Sequence, residues 1–156
     1  MAVDMFLKID GIQGESRDSK HKGEIEILSF SWGVSNSGGQ VGGGGGGAGK
    51  VTMQDFSIVK QLDTTSPEFL ERACRGEHIG SALLTLVRSG GGKSDQQEYL
   101  KIKLSDVLIS SYSTGGSNST LPAEQVTFTF QTADVSAADG NGGWKSGGTC
   151  GTGGKF

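Results

Sequence analysis

The chain has 156 residues, 28 of them glycine and two of them cysteine, with a formal net charge of −3 and an isoelectric point near 5.3. This balance excludes the basic face of a general nucleic-acid binder and the highly charged composition of a disordered chain. Two cysteines exclude a disulfide framework, and no run approaches the roughly 18 apolar residues of a transmembrane helix.

The N-terminal MAVDMFLKIDG carries an acid at Asp4 and no basic region ahead of an apolar run, so it is not read as a signal peptide. The expectation is a protein that starts in the cytoplasm or leaves by a route needing no such peptide. Residues 3–9 read as a first strand and 10–23 as a polar loop. Residues 24–35 read as a long strand whose apolar parity changes, from Ile25 and Ile27 to Leu28, Phe30, Trp32 and Val34. Side chains alternate across a strand, so the change predicts a bulge or a new neighbour near Leu28. Beyond it, Ser29, Ser31, Gly33 and Ser35 make a face of small residues. That face is open to two readings: the solvated side of a sheet, or the wall of a water-filled channel.

A glycine-rich loop over 38–50 separates this strand from 51–62, which also changes phase, from Val51 and Met53 to Phe56 and Ile58. Two long strands that each switch faces suit a closed barrel better than a flat sheet. Residues 66–75 form the one helix. Ser66 is placed to cap it, Pro67 suits its first turn, Phe69, Leu70, Ala73 and Cys74 give an apolar stripe, and Gly76 ends it. On this reading Cys74 is core and Cys150 is exposed. Strands follow at 81–88, at 97–111 with a phase shift at Val107, and at 124–133, where Val126, Phe128 and Phe130 alternate with Gln125, Thr127, Thr129 and Gln131. The pattern gives one domain over 1–135, including the loop 38–50, and a glycine-rich tail over 136–156.

GGGGAGKV at 44–51 approaches a phosphate-binding loop. Its hydroxyl position holds Val51, and a β-patterned segment follows where a helix is required. His21 and His78 are read as surface residues without metal-ligand spacing. No G-x-S-x-G elbow occurs. No enzyme, cofactor or metal site is expected.

The segments MAVDMFLKIDGIQGES, HKGEIEILSFSWGVSNSG, GGGGAGKVTMQDFSIVK, SPEFLERACRGEHI, EYLKIKLSDVLISSYSTGGS and EQVTFTF resemble the haemolysin-coregulated proteins of type VI secretion, in order, over residues 1–132. The resemblance implies a mainly β fold: a two-sheet β-barrel with one lateral α-helix and a long Gly-rich loop between strands. It also implies hexameric rings that stack into a tube. A sheath drives that tube, capped by a spike protein, out of the cell, and small effectors bind in its lumen. It places Ser29, Ser31 and Ser35 on the lumen side, and Gly42, Gly43, Gly44, Gly45, Gly46, Gly47 and Lys50 in a loop that contacts a neighbouring subunit or ring. No nucleic acid and no membrane insertion is implied. The end of the chain departs from the family: Gly143-Trp144 is present, but KSGGTCGTGGKF follows it. The alternative function is a monomeric β-sandwich that binds carbohydrate or protein; a nucleotide hydrolase acting through Lys50 is the third.

Overall fold

A computed structural model describes residues 3–36, 51–89, 96–139 and 143–151. The two-residue period of a strand is visible at once in β1 (Val3–Ile9), whose Leu7 and Ile9 are buried while Lys8 is exposed. β2 (Ile25–Ile27) and β3 (Ser29–Ser31) follow, then β4 (Val34–Asn36), β5 (Val51–Met53) and β6 (Phe56–Gln61). After the helix α1 (Ser66–Arg75) come β7 (His78–Ser89), β8 (Gln96–Ser117), β9 (Thr120–Ala138) and β10 (Trp144–Gly151).

Eight strands form one antiparallel sheet in the order β2-β1-β7-β8-β9-β6-β3, with β10 attached to β9. The two ends of this order are consecutive in the chain. β2 pairs with β1, β3 pairs with β6, and between them the Leu28 N–H donates to the Val59 carbonyl at 2.7 Å. The segment thus changes neighbours at Leu28 and draws the sheet round into a nearly closed barrel. The parity change near Leu28 marks this point, although Leu28 itself is exposed rather than aligned with Phe30.

The long strands expected at 24–35 and 51–62 are each broken again. At Gly33 and Gln54, β4 and β5 leave the barrel as a separate two-stranded ribbon. The Gln54 N–H donates to the Gly33 carbonyl at 2.9 Å, and the Gln54 side chain lies close over Gly33, which closes the corner.

Burial parity also changes on three neighbouring strands at one level. Ile79 gives way to Ala82, Leu84 and Leu86 on β7, Ile102 and Leu104 to Val107 and Ile109 on β8, and Phe130 to Ala133 on β9. Gly80 and Asp106 fall between the pairs Ile79–Val107 and Ser81–Ser105. Asp106 has φ 52°, a left-handed conformation that costs a non-glycine residue on the order of 1–2 kcal/mol. Its carboxylate meets His78 Nδ1 at 2.8 Å.

Inside the barrel, Phe56 stacks on Phe30 and Trp32 packs edge-on against Phe130, both at 5.9 Å between ring centres. The helix spans the expected 66–75, but Thr65 rather than Ser66 stands at the N-cap. It ends at Gly76, φ 65°, whose N–H donates to the Arg72 carbonyl at 3.0 Å. Of the expected apolar stripe, Phe69 is buried and Ala73 packs on the core, but Leu70 and Cys74 are exposed. Cys74 is therefore not a core residue. At 3.6 residues per turn, the position after each contact residue lies about 100° further round and clears the sheet.

Beyond residue 133 the sequence pattern gives no strand, yet β9 continues to Ala138 and Trp144–Gly151 pairs along it. Backbone hydrogen bonds define β10, and a bulge between Ser146 and Thr149 accommodates Gly148 at φ 82°.

Candidate binding face and its support

Ser29 and Ser31 alternate with the half-buried Phe30, so both are exposed on the outside of β3. Strand register carries their chemistry across the sheet. Ser31 pairs with Ser57, Ser57 with Thr127, and Thr127 with Ser111; Ser29 leads through Val59 and Gln125 to Ser113. A register shift between Ile109 and Ser111 leaves both Ser110 and Ser111 exposed. Ser110 Oγ lies 2.8 Å from Thr127 Oγ1, Ser111 bonds the same hydroxyl, and Gln125 Nε2 donates to Ser57 Oγ at 3.1 Å. These two rows themselves hold no charged side chain; the exposed Asp55 carboxylate borders them, accepting from Ser110 Oγ at 3.2 Å. The result is a shallow wall of hydroxyls and amides that can exchange hydrogen bonds with a partner or with water at little cost.

Ser35 is also exposed, but it lies on the ribbon opposite Thr52, apart from Ser29 and Ser31. Gly42, Gly43, Gly44, Gly45, Gly46, Gly47 and Lys50 lie outside the described residues. Ser57, Ser111 and Thr127 belong with Ser29 and Ser31. Their signal in the sequence is a shared parity of small polar residues on each strand, and pairing order alone brings the strands together.

Beneath one end of this wall is a buried ionic network with no sequence signature. Lys60, on β6, and Glu124, on β9, have no exposed side-chain surface, and Lys60 Nζ lies 2.7 Å from Glu124 Oε2. Nζ also reaches Asp63 Oδ1 at 2.9 Å and Ser66 Oγ at 3.3 Å, while the Tyr112 hydroxyl on β8 donates to Glu124 Oε1 at 2.6 Å. Three strands and the start of α1 are tied together here. Burial works against the Glu124 charge, but the hydrogen bonds from Lys60, Ser66 and Tyr112 outweigh it and hold the carboxyl below its usual range. Burial, then the bond to the Glu124 carboxylate, pushes Tyr112 up to about 12.

Both ends of the pH scale should therefore weaken the fold. Glu124 is depressed, so its contribution is present above the unfolded carboxylate range and is lost as pH falls through the folded value. Tyr112 is raised, so its contribution is present below about pH 10 and is lost as pH rises toward about 12. Denaturant midpoints across pH 3 to 12 are expected to show both limbs, and Tyr112→Phe is expected to remove the part of the alkaline limb that Tyr112 supplies.

The expected surface histidines divide. His78 is exposed on Asp106. His21 is buried: it stacks on Phe6 at 4.6 Å, with Nδ1 2.8 Å from Glu24 and Nε2 3.0 Å from Glu98. The loop preceding β2 folds back over the outside of β1, which also explains the burial of Phe6. Among the described residues no group of His, Cys, Asp and Glu is arranged to hold a metal ion.

The curled sheet, its hydroxyl-rich face, its lateral helix and its separate two-stranded ribbon define a β-barrel scaffold whose chemistry lies in its surfaces. Comparison with known proteins places that scaffold. Residues 6–136 match the family described as "Type VI secretion system effector, Hcp". The chain is 44% identical over 150 residues to protein hcp1 of Pseudomonas aeruginosa, covering 91% of each. The crystal structure of Hcp1 from Salmonella typhimurium superposes with a TM-score of 0.81 at 32% identity, covering 99% of both chains. A type VI secretion effector from Yersinia pestis gives 0.77 at 31% identity, covering 95% of this chain and 99% of the other. This chain belongs to the Hcp family of type VI secretion. Members are secreted structural proteins rather than enzymes.

Proposed function

We propose that this chain is the tube subunit of a type VI secretion system, that it closes into hexameric rings, and that the rings stack into a tube carrying small effectors in its lumen. The uncharged row Ser31–Ser57–Thr127–Ser111 carries the reading. A continuous wall of short hydroxyls leaves a channel unobstructed and offers many weak contacts to varied cargo. Ser29, Ser31 and Ser35 are the effector-contacting positions taken from the family. Gly42, Gly43, Gly44, Gly45, Gly46, Gly47 and Lys50, taken from the family likewise, supply the contact to a neighbouring subunit or ring. A ring requires two different, complementary patches on each subunit, and burial between subunits adds to a lean core. The protein resides in the cytoplasm before assembly. Sheath proteins then drive the tube outward behind a spike protein.

Light scattering of the purified protein should give a mass near six times 16.1 kDa. Ser31→Arg places a long cation on the wall; it should leave that mass unchanged and lower co-exported effector by about tenfold or more, a change worth only about 1.4 kcal/mol. A monomer with saturable sugar binding would replace this reading by the carbohydrate-binding module. Normal effector export in Ser31→Arg would remove Ser31 from the contact surface.

A further inference from the structure

The hydroxyl wall belongs to a part of the chain that is nearly free of charge. Residues 28–36, 51–61 and 107–133 supply β3 to β6, the end of β8 and most of β9. In a chain that is 20% charged, they contain only Asp55, Lys60 and Glu124. Lys60 and Glu124 are buried and neutralise each other at 2.7 Å. The Asp55 carboxylate is therefore the single exposed charge of these strands.

Its place is specific. Asp55 precedes the buried Phe56 and shares the outward parity of Ser57. The Ser110 hydroxyl donates to Asp55 Oδ2 at 3.2 Å and lies 2.8 Å from Thr127 Oγ1, so the carboxylate is tied to the row that begins at Ser31. Asp55 enters no ion pair among the described residues.

A hydroxyl can give or take a hydrogen bond, so rows of serine and threonine treat donors and acceptors alike. A carboxylate only accepts, and it attracts cations over about 8 Å at physiological salt. Asp55 thus lets an otherwise indifferent wall tell partners apart by charge. One exposed ion pair contributes little. The ring proposed above, however, repeats Asp55 in every subunit around a neutral bore, and a partner that reaches several copies at once gains from the linkage.

We propose that Asp55 selects the cargo: the wall holds proteins that present a patch of Lys or Arg, whose cations pair with the Asp55 carboxylates while the hydroxyl rows take neighbouring neutral groups. This rests on the lumen role of the wall and names the class of cargo that the wall takes.

A labelled hexalysine peptide is the probe, titrated into the assembled protein and followed by fluorescence anisotropy. Asp55→Asn keeps an acceptor for Ser110 and removes the charge. It should weaken hexalysine binding by about tenfold or more, with the largest difference at low salt. Asp55→Glu keeps the charge and should stay within about threefold of the parent. Glu26→Gln removes an exposed carboxylate from β2, away from the wall, and should leave binding unchanged. Asp55→Ser, a second charge-free variant, replaces Asp55→Asn if circular dichroism shows that the latter has lost its fold. No saturable binding by the parent, unchanged affinity in the charge-free variant, or an equal loss in Glu26→Gln overturns the role of Asp55. Light scattering of the same samples separates this from the ring: a single-subunit mass for the parent overturns the hexamer, whereas a six-subunit mass with any of those three results overturns Asp55 alone.

Discussion

Lys60→Ala is expected to lower the free energy of unfolding by about 3–5 kcal/mol, because it removes one partner from a fully buried ion pair. Glu124 would be left without its cation at 2.7 Å, and Asp63 would lose the ammonium at 2.9 Å. The remaining carboxylate has no water to turn to, so it must take a proton or open the structure. The expected measurement is guanidinium unfolding at neutral pH followed by far-UV circular dichroism. The double variant Lys60→Met, Glu124→Leu is expected to recover most of the loss, since replacing both charges with apolar groups removes the desolvation penalty with the attraction. A Lys60→Ala protein within about 0.5 kcal/mol of the parent would place it with ordinary surface substitutions and contradict the geometry of the network.

Phe69→Ala should cost a similar amount, about 3–5 kcal/mol, for a different reason. Phe69 is the one fully buried apolar side chain of α1. Its ring meets Phe128 edge-on at 6.2 Å and lies beneath the Lys60 ammonium at 5.4 Å. Its removal opens a cavity at the junction of helix, barrel and ionic network together. A helix of 10 residues is too short to persist without such packing, so the helical signal should fall along with stability. Leu70→Ala, one position round and half exposed, should change stability by less than about 0.5 kcal/mol. Equal losses in the two variants would show that the helix docks on a different face.

These two residues also mark the limit of what sequence reveals. Phe69 is legible, because Pro67 and Gly76 frame a helix and an apolar period runs between them. Lys60 is not, because the alternation that places Phe56 and Ile58 inside puts a charged side chain next in line. A pattern has no way to foresee that Glu124 arrives opposite it. The barrel was legible for a related reason: each parity break, at Leu28, at Gln54 and at Asp106, is a place where the backbone changes direction or neighbour. β10 was not legible, since WKSGGTCG has no apolar alternation and its pairing is written into the backbone of β9. His21 was misjudged because its burial comes from a loop folding over the sheet, an event that local composition does not encode. Of the candidate face, the exposure of Ser29 and Ser31 was readable on their own strand. Ser57, Thr127 and Ser111 joined them only through register.

The hand-over at Leu28 has a mechanical corollary. One short stretch of chain fastens both borders of the sheet, with β2 held by β1 and β3 held by β6. Neither seam can part far without dragging on the other, so the barrel has a single clasp instead of two independent hems. A wall built this way resists gradual fraying and gives way all at once.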